Sequence, residues 1–243
     1  MTLFTKSSRL SKKTTMLAAL FCASTGSVLA DVSANVAITS DYRFRGISQN
    51  DKSIAIQGGF DYESESGFYA GVWASSVDFQ IQTLDDATAE MDIYAGYNGE
   101  IGDSGLSYSV GFLHYNYPNS AAELNYNFTE LTFGLSYDIF SFSYANTSDY
   151  FAASGSAQYY NIAADIALPE DWTLTISAGQ QDVEDNDAWG TPNWNDYKIG
   201  VSGSLAAIDL EFAYIDTSLS EDECFGGSDW CDGTFTITFS KSL

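Results

Sequence analysis

The chain has 243 residues, 15% of them aromatic, with 33 acidic against nine basic residues and a net charge of −24. A surface this acidic repels nucleic acid, and the aromatic content with regular apolar patterning excludes a disordered chain.

The first thirty residues have the three-part layout of a secretory signal peptide. Lys6, Arg9, Lys12 and Lys13 form a basic start, Met16 to Ala23 a short apolar stretch, and Val28-Leu29-Ala30 a small-residue cleavage site after Ala30. The apolar stretch is far shorter than the ~20 residues a spanning helix needs. Cys22 follows Phe21 without the small residue expected ahead of a lipidated cysteine. The domain reading is therefore a signal peptide over 1–30 and one exported domain over 31–243. That domain keeps five basic residues against all 33 acidic ones, a net charge of −28.

From Val32 onward the chain alternates. Val32, Ala34, Val36, Ile38, Ser40, Tyr42 and Phe44, almost wholly apolar, are interleaved with Ser33, Asn35, Ala37, Thr39, Asp41 and Arg43, mostly polar. Period 2 makes a strand with one apolar and one wet face. The pattern predicts twelve strands, near 32–45, 54–62, 68–79, 90–98, 106–117, 127–137, 140–148, 157–168, 172–180, 195–205, 208–216 and 233–243. Connections alternate in length. Glu63 to Gly67, Asn98 to Gly105, Asp138-Ile139, Pro169 to Asp171 and Ala206-Ala207 are short. Gly46 to Ser53, Gln80 to Ala89, Pro118 to Tyr126, Asp149 to Ser156, Gln181 to Trp194 and Thr217 to Asp232 are mostly longer. Short turns at one rim, long loops at the other and an even strand number describe an all-β, transmembrane, antiparallel up-and-down β-barrel of the bacterial outer membrane. Twelve strands fit the length; ten is the alternative count.

The final strand sets Phe235, Ile237 and Phe239 against Thr234, Thr236 and Thr238 and ends on Leu243. Lys241 interrupts the apolar set, where a long cationic side chain can snorkel to headgroups. Tyr, Phe and Trp are expected in girdles at the two membrane interfaces.

Several segments resemble the TorF family of proteobacterial porin-like proteins, formerly carried as conserved hypothetical outer-membrane proteins. They are Ser40-Asp41-Tyr42-Arg43-Phe44-Arg45-Gly46-Ile47-Ser48, Ala55 to Tyr62, Glu65 to Ser75, Asp92 to Tyr97, Tyr115-Asn116-Tyr117-Pro118 and the close at Ser240-Lys241-Ser242. The resemblance spans residues 31–243 and is strongest in their first half. It implies an exported barrel acting as a porin, without naming a solute. Where that family ends on Phe, this chain ends on Leu243.

The wet faces of the strands would line a lumen. Its predicted acidic residues are Asp41, Asp61, Glu90, Asp92, Glu130, Asp165, Asp196, Asp209 and Glu211, against Arg43, Arg45 and Lys198. Such a wall favours cations over anions; the plainer reading is a solvated interior whose carboxylates pair with the few cations. Arg43 and Arg45, two apart on one strand, would both face this wall, either setting a transverse field at a constriction or rigidifying a narrow barrel through ion pairs. Cys224 and Cys231, in an oxidising compartment, are expected to form a disulfide closing one loop; two thiols with no histidine nearby are a poor metal set. Asp182, Glu184, Asp185 and Asp187 crowd one loop without calcium-loop spacing, which reads as a solvated acidic loop before it reads as a divalent-ion site.

His114, the one histidine in the sequence, falls on the lipid-facing set, in a girdle with Tyr115 and Tyr117. With no G-x-S-x-G elbow, no catalytic residue, enzyme activity, cofactor or metal is expected. The expected function is passive diffusion of small polar solutes, with cations preferred. The alternative is a non-conducting structural, adhesive or receptor barrel working through its loops, which an interior filled by aromatics such as Trp73 would favour. The expected surroundings are outer-membrane lipid and lipopolysaccharide, and a barrel of this size is compatible with a homo-oligomer.

Overall fold

A computed structural model describes residues 31–79, 87–118 and 120–243. The signal-peptide reading of 1–30, and most of the predicted connection from Gln80 to Ala89, lie outside the described residues.

Twelve strands close into one antiparallel barrel: β1 (Asp31–Thr39), β4 (Ala55–Glu63), β5 (Phe68–Ser76), β6 (Ala89–Glu100), β7 (Leu106–Asn116), β8 (Phe128–Tyr137), β9 (Phe140–Thr147), β10 (Ala157–Ala167), β11 (Thr173–Val183), β12 (Trp194–Leu205), β13 (Ile208–Thr217) and β14 (Thr234–Ser242). Each pairs with its sequence neighbour in the barrel, and β1 pairs with β14 to close it, Ile38 opposite Phe239 and Thr39 opposite Thr238. Closure leaves no edge strand with unpaired backbone groups. Both ends of the barrel sheet lie at the rim of the short turns. Among the described residues no helix is long and apolar enough to cross a membrane.

The period-2 alternation becomes an apolar outside and a polar inside. Val36, Ile38, Phe60, Val110, Leu131, Ile162, Ile199, Phe212 and Phe239 are exposed on the outer face. Their neighbours Gln57, Ser75, Ser109, Thr236 and Thr238 are buried. At Gly71 and Gly96 the inner wall has no Cβ because Tyr94 and Tyr69, their partners across β5 and β6, lay their rings there. Covering a bare strand glycine with a cross-strand ring restores the packing that glycine lacks.

The predicted strand count holds, with one correction of consequence. The first strand ends at Thr39, not at residue 45. The chain then turns into the barrel and forms a small hairpin, β2 (Arg43–Phe44) and β3 (Ile47–Ser48). Its two turn residues, Arg45 and Gly46, have φ of 48° and 86°, as the two-residue turn that suits strand twist requires. Gly46 is needed twice over, since a Cβ there would lie 2.6 Å from Thr217 Cγ2 on the far wall. Arg43 and Arg45 therefore do not share one strand face; they flank a turn that reaches across the interior.

Two smaller differences follow from the same alternation. Tyr115 and Tyr117 are buried inside, so they do not share the outer girdle with His114, whose Nδ1 lies 2.8 Å from Thr129 Oγ1 on the outer face. Lys241 Nζ donates to the Ala207 carbonyl at 2.7 Å, fastening the closing strand to the β12–β13 turn.

Candidate functional site

The interior has two halves. Toward the short-turn rim it is polar and bears charges from opposite sectors of the wall. Lys198 Nζ pairs with both Glu211 oxygens at 2.8 and 2.9 Å. Thr175 donates to Asp165 at 2.6 Å, Asn35 and Tyr94 donate to Asp61, and Ser204 donates to Asp209. All these predicted interior residues face inward from β4, β10, β12 and β13.

Toward the long-loop rim the bore is packed with rings. Tyr115 stacks on Phe128 (4.3 Å between centroids), Phe128 meets Tyr150 (4.8 Å), and Tyr150 meets Trp189 (5.0 Å). Trp189 also touches Phe151, Trp194 and Phe225, and Phe225 touches Trp230. On the other side Phe79 contacts Tyr117, Tyr126 and Phe151. Among the described residues, the long connections between barrel strands β5 and β6, β7 and β8, β9 and β10, β11 and β12, and β13 and β14 each place rings in one cluster, and Phe44 on the hairpin joins it through Tyr115 at 5.6 Å. These aromatics form a plug, where girdle positions were expected for several of them. Trp73 belongs to the interior as well, 5.5 Å from Tyr42.

Cys224 and Cys231 are fully buried in this plug and joined by a disulfide. The crowded acidic loop is shorter than predicted, because β11 runs on to Val183 and β12 begins at Trp194. Asp185 accepts from the Ala188 amide at 2.9 Å to start a one-turn helix, α1 (Asn186–Trp189), whose function is to aim Trp189 at the plug. Glu184 accepts from the Ser156 amide and hydroxyl, and these bonds hold its pKa below the ordinary carboxylate value.

Between the halves lies a belt of buried charge. Arg45 crosses the bore from the hairpin and donates to both oxygens of Glu130 on β8, at 2.8 and 2.7 Å, and to Gln181 on β11. Its guanidinium sits 4.2 Å from the Tyr159 ring centroid and 4.6 Å from that of Phe44, and its carbonyl accepts from Trp194 Nε1 at 2.9 Å. Burial is the largest influence and opposes its charge, but Glu130 together with Tyr115, Tyr150 and Tyr159 holds the pKa above the ordinary arginine value. Arg43 points the other way. It pairs with Asp41 at 2.6 Å and donates to the carbonyls of Gly46, Trp230 and Asp232, tying the hairpin to the disulfide loop. Glu90 and Asp92 on β6 and Asp196 on β12 complete the belt; Tyr42 donates to Glu90 at 2.9 Å and Tyr159 to Asp196 at 3.2 Å. Of the two readings offered for the arginines, the geometry matches the ion-pair one: Arg45 ties the hairpin to Glu130 and Arg43 pairs with Asp41.

All twelve predicted interior residues thus lie inside, three of them on the hairpin and not on the wall. Gln181, Tyr159 and Trp194, which hold the hairpin tip, and Tyr42, which reaches Glu90 from its base, were not predicted. Gly46, which opens the predicted connection Gly46 to Ser53, lies in the turn where the chain folds back.

The sequence model of Gcw_chp, described as a bacterial protein of unknown function, matches residues 23–243. The chain belongs to this family. The TorF name rests on the motif resemblance alone. No curated protein matches the sequence. Among solved structures, the fold of this Gcw_chp member is similar to the NanC porin, at a TM-score of 0.56 and 11% identity, covering 86% of this chain and 100% of that one. It is similar also to the KdgM porin, at 0.53 and 10%, covering 88% and 99%. KdgM in complex with disordered oligogalacturonate matches at 0.54 and 10%, again covering 88% and 99%. At these identities the likeness is one of fold: a closed twelve-stranded barrel with porins as structural neighbours.

Proposed function

We propose that this Gcw_chp protein is an outer-membrane, porin-like channel that passes small polar solutes and prefers cations. The observation that carries the proposal is the acidic interior of a porin-like barrel: nine inward carboxylates, Asp41 to Glu211, against Arg43, Arg45 and Lys198. An oligogalacturonate carries a carboxylate on every unit and meets repulsion in such a wall, so an anionic sugar polymer is not its solute. Export through residues 1–30 and cleavage after Ala30 belong to the same reading, as do lipid and lipopolysaccharide against the apolar outside. Transport, not catalysis, is the activity.

The aromatic plug favours a second reading, a barrel that does not conduct and acts through its long loops. Planar-bilayer recording of the refolded protein across a potassium chloride gradient separates the two. Small, stable unit steps with a cation-selective reversal potential are expected. A correctly folded barrel that never conducts, even with its plug loosened, would overturn the channel reading.

Membrane placement has its own test. Ile199, half exposed in the middle of β12, has its side chain on the outer face. Arginine there should cost ~2–4 kcal/mol of folding stability in phospholipid vesicles, the penalty for a cation at the bilayer midplane. The measurement is urea-induced unfolding followed by tryptophan fluorescence. A water-facing site would tolerate Ile199→Arg within about 0.5 kcal/mol, and that result would exclude a transmembrane barrel.

A further inference from the structure

Every basic side chain of residues 31–243 is committed. Arg43 is held by Asp41 and three carbonyls, Arg45 by Glu130 and Gln181, Lys52 by Asp229 at 2.9 Å, Lys198 by Glu211 and Lys241 by the Ala207 carbonyl. Among the described residues, Glu90 and Asp92 are left with no basic side chain paired to them. They are 1% and 6% exposed, two residues apart on the inner face of β6. Glu90 accepts from Tyr42, whereas Asp92 Oδ1 is buried with no hydrogen-bond partner among the described residues.

The surroundings of Asp92 are aromatic. The strand register sets it directly between Trp73 on β5 and Tyr115 on β7. Tyr42 bridges the site, edge-on to Trp73 at 5.5 Å, with its hydroxyl on Glu90. Two buried carboxylates cannot stand as bare charges in a dry wall, because desolvation costs several kcal/mol per ion. Either a proton or a bound cation must neutralise them. Ring faces and a phenol oxygen beside a carboxylate offer both cation–π attraction and oxygen ligation. Two carboxylates and a phenol fall short of the about six to eight oxygens of a calcium shell, whereas ring faces beside a carboxylate suit a singly charged ion.

We propose that Asp92 and Glu90, enclosed by Tyr42, Trp73 and Tyr115, bind one small monovalent cation of the alkali or ammonium class. The site deepens the cation-channel reading: it is where a permeating ion is stripped of water just beneath the plug. Binding and conduction are read separately, so either can fail alone.

The test is thermal unfolding of the refolded protein in detergent at pH 7.5 and constant ionic strength. The salts are lithium, sodium, potassium, rubidium or ammonium chloride, with N-methylglucamine chloride as a cation too large to be enclosed. At least one small cation should raise the midpoint over the N-methylglucamine reference by ~5 °C at a hundredfold excess over its Kd. Asp92→Asn should abolish that difference, and Asp103→Asn, in an exposed turn, should keep it. Should Asp92→Asn fail to fold, Glu90→Gln serves in its place. Equal midpoints in all salts, or an unchanged cation response in both belt variants, would overturn the proposal. In the first case protons neutralise the pair.

Discussion

Replacing Arg45 with methionine is expected to destabilise the barrel by about 3–5 kcal/mol. The guanidinium is the sole cation on Glu130 among the described residues, and both partners are buried, at 7% and 3% side-chain exposure. Removing one member of a buried pair leaves the other as an uncompensated charge, which costs more than the pair ever contributed. Glu130 would retain the Tyr115 hydroxyl at 3.1 Å, and fully buried Gln181 would lose the donor on its Oε1. Arg45→Lys should recover only part of the loss, because a point ammonium cannot reproduce two parallel bonds to Glu130 and reach Gln181 as well. Arg45→Met with Glu130→Gln should be more stable than Arg45→Met alone, and the double-mutant cycle gives the coupling. Urea unfolding in vesicles reads these differences. A neutral Arg45→Met would mean that the hairpin is held by Arg43 and Trp194 alone.

The same residue shows why the fold was legible and the site was only partly so. Strand spans follow from side-chain alternation, a local property. Phe68 to Ser76 and Phe140 to Thr147 therefore lie within their predicted spans, and the two-residue turn at Ala206-Ala207 was placed by its neighbours. Between Ser40 and Arg45 the alternation simply continues, so the sequence offers no break where the chain leaves the wall. What ends β1 is tertiary: Arg43 is captured by Asp41 and the disulfide loop, and Arg45 by Glu130, 85 residues away. The hairpin even accepts a left-handed arginine, where glycine or asparagine would serve the turn at less backbone cost. That cost, about 1 kcal/mol, is offset because no smaller side chain spans the bore. The aromatics were legible as abundant, not as placed. Tyr115 and Tyr117 alternate with His114, and the parity that sends His114 outward sends both rings into the plug. The disulfide was readable, because two cysteines were left for one loop.

Trp189 is the centre of that plug, and its replacement should separate packing from closure. Its ring meets those of Tyr150, Phe151, Trp194 and Phe225 at 5.0 to 6.1 Å. Tyr150 and Phe151 lie in one other connection, Phe225 in a second and Trp194 at the start of β12, so Trp189 joins its own loop to two others. Alanine removes all four contacts and leaves a void in the mouth. A loss of up to about 3 kcal/mol is expected, below the full range for a core tryptophan because this one is only partly buried. Unit conductance should rise several-fold as the loops separate. Phenylalanine should behave in the opposite way. Trp189 Nε1 is buried without an acceptor among the described residues, so Trp189→Phe removes an unsatisfied donor while keeping a ring on Tyr150 and Phe225. It should unfold at the same or higher temperature and conduct no more than the parent. Paired single-channel recordings and thermal unfolding check both arms. Equal conductance in the alanine and phenylalanine variants would show that ions pass around the plug, along the wall that carries Glu90 and Asp92, and not through it.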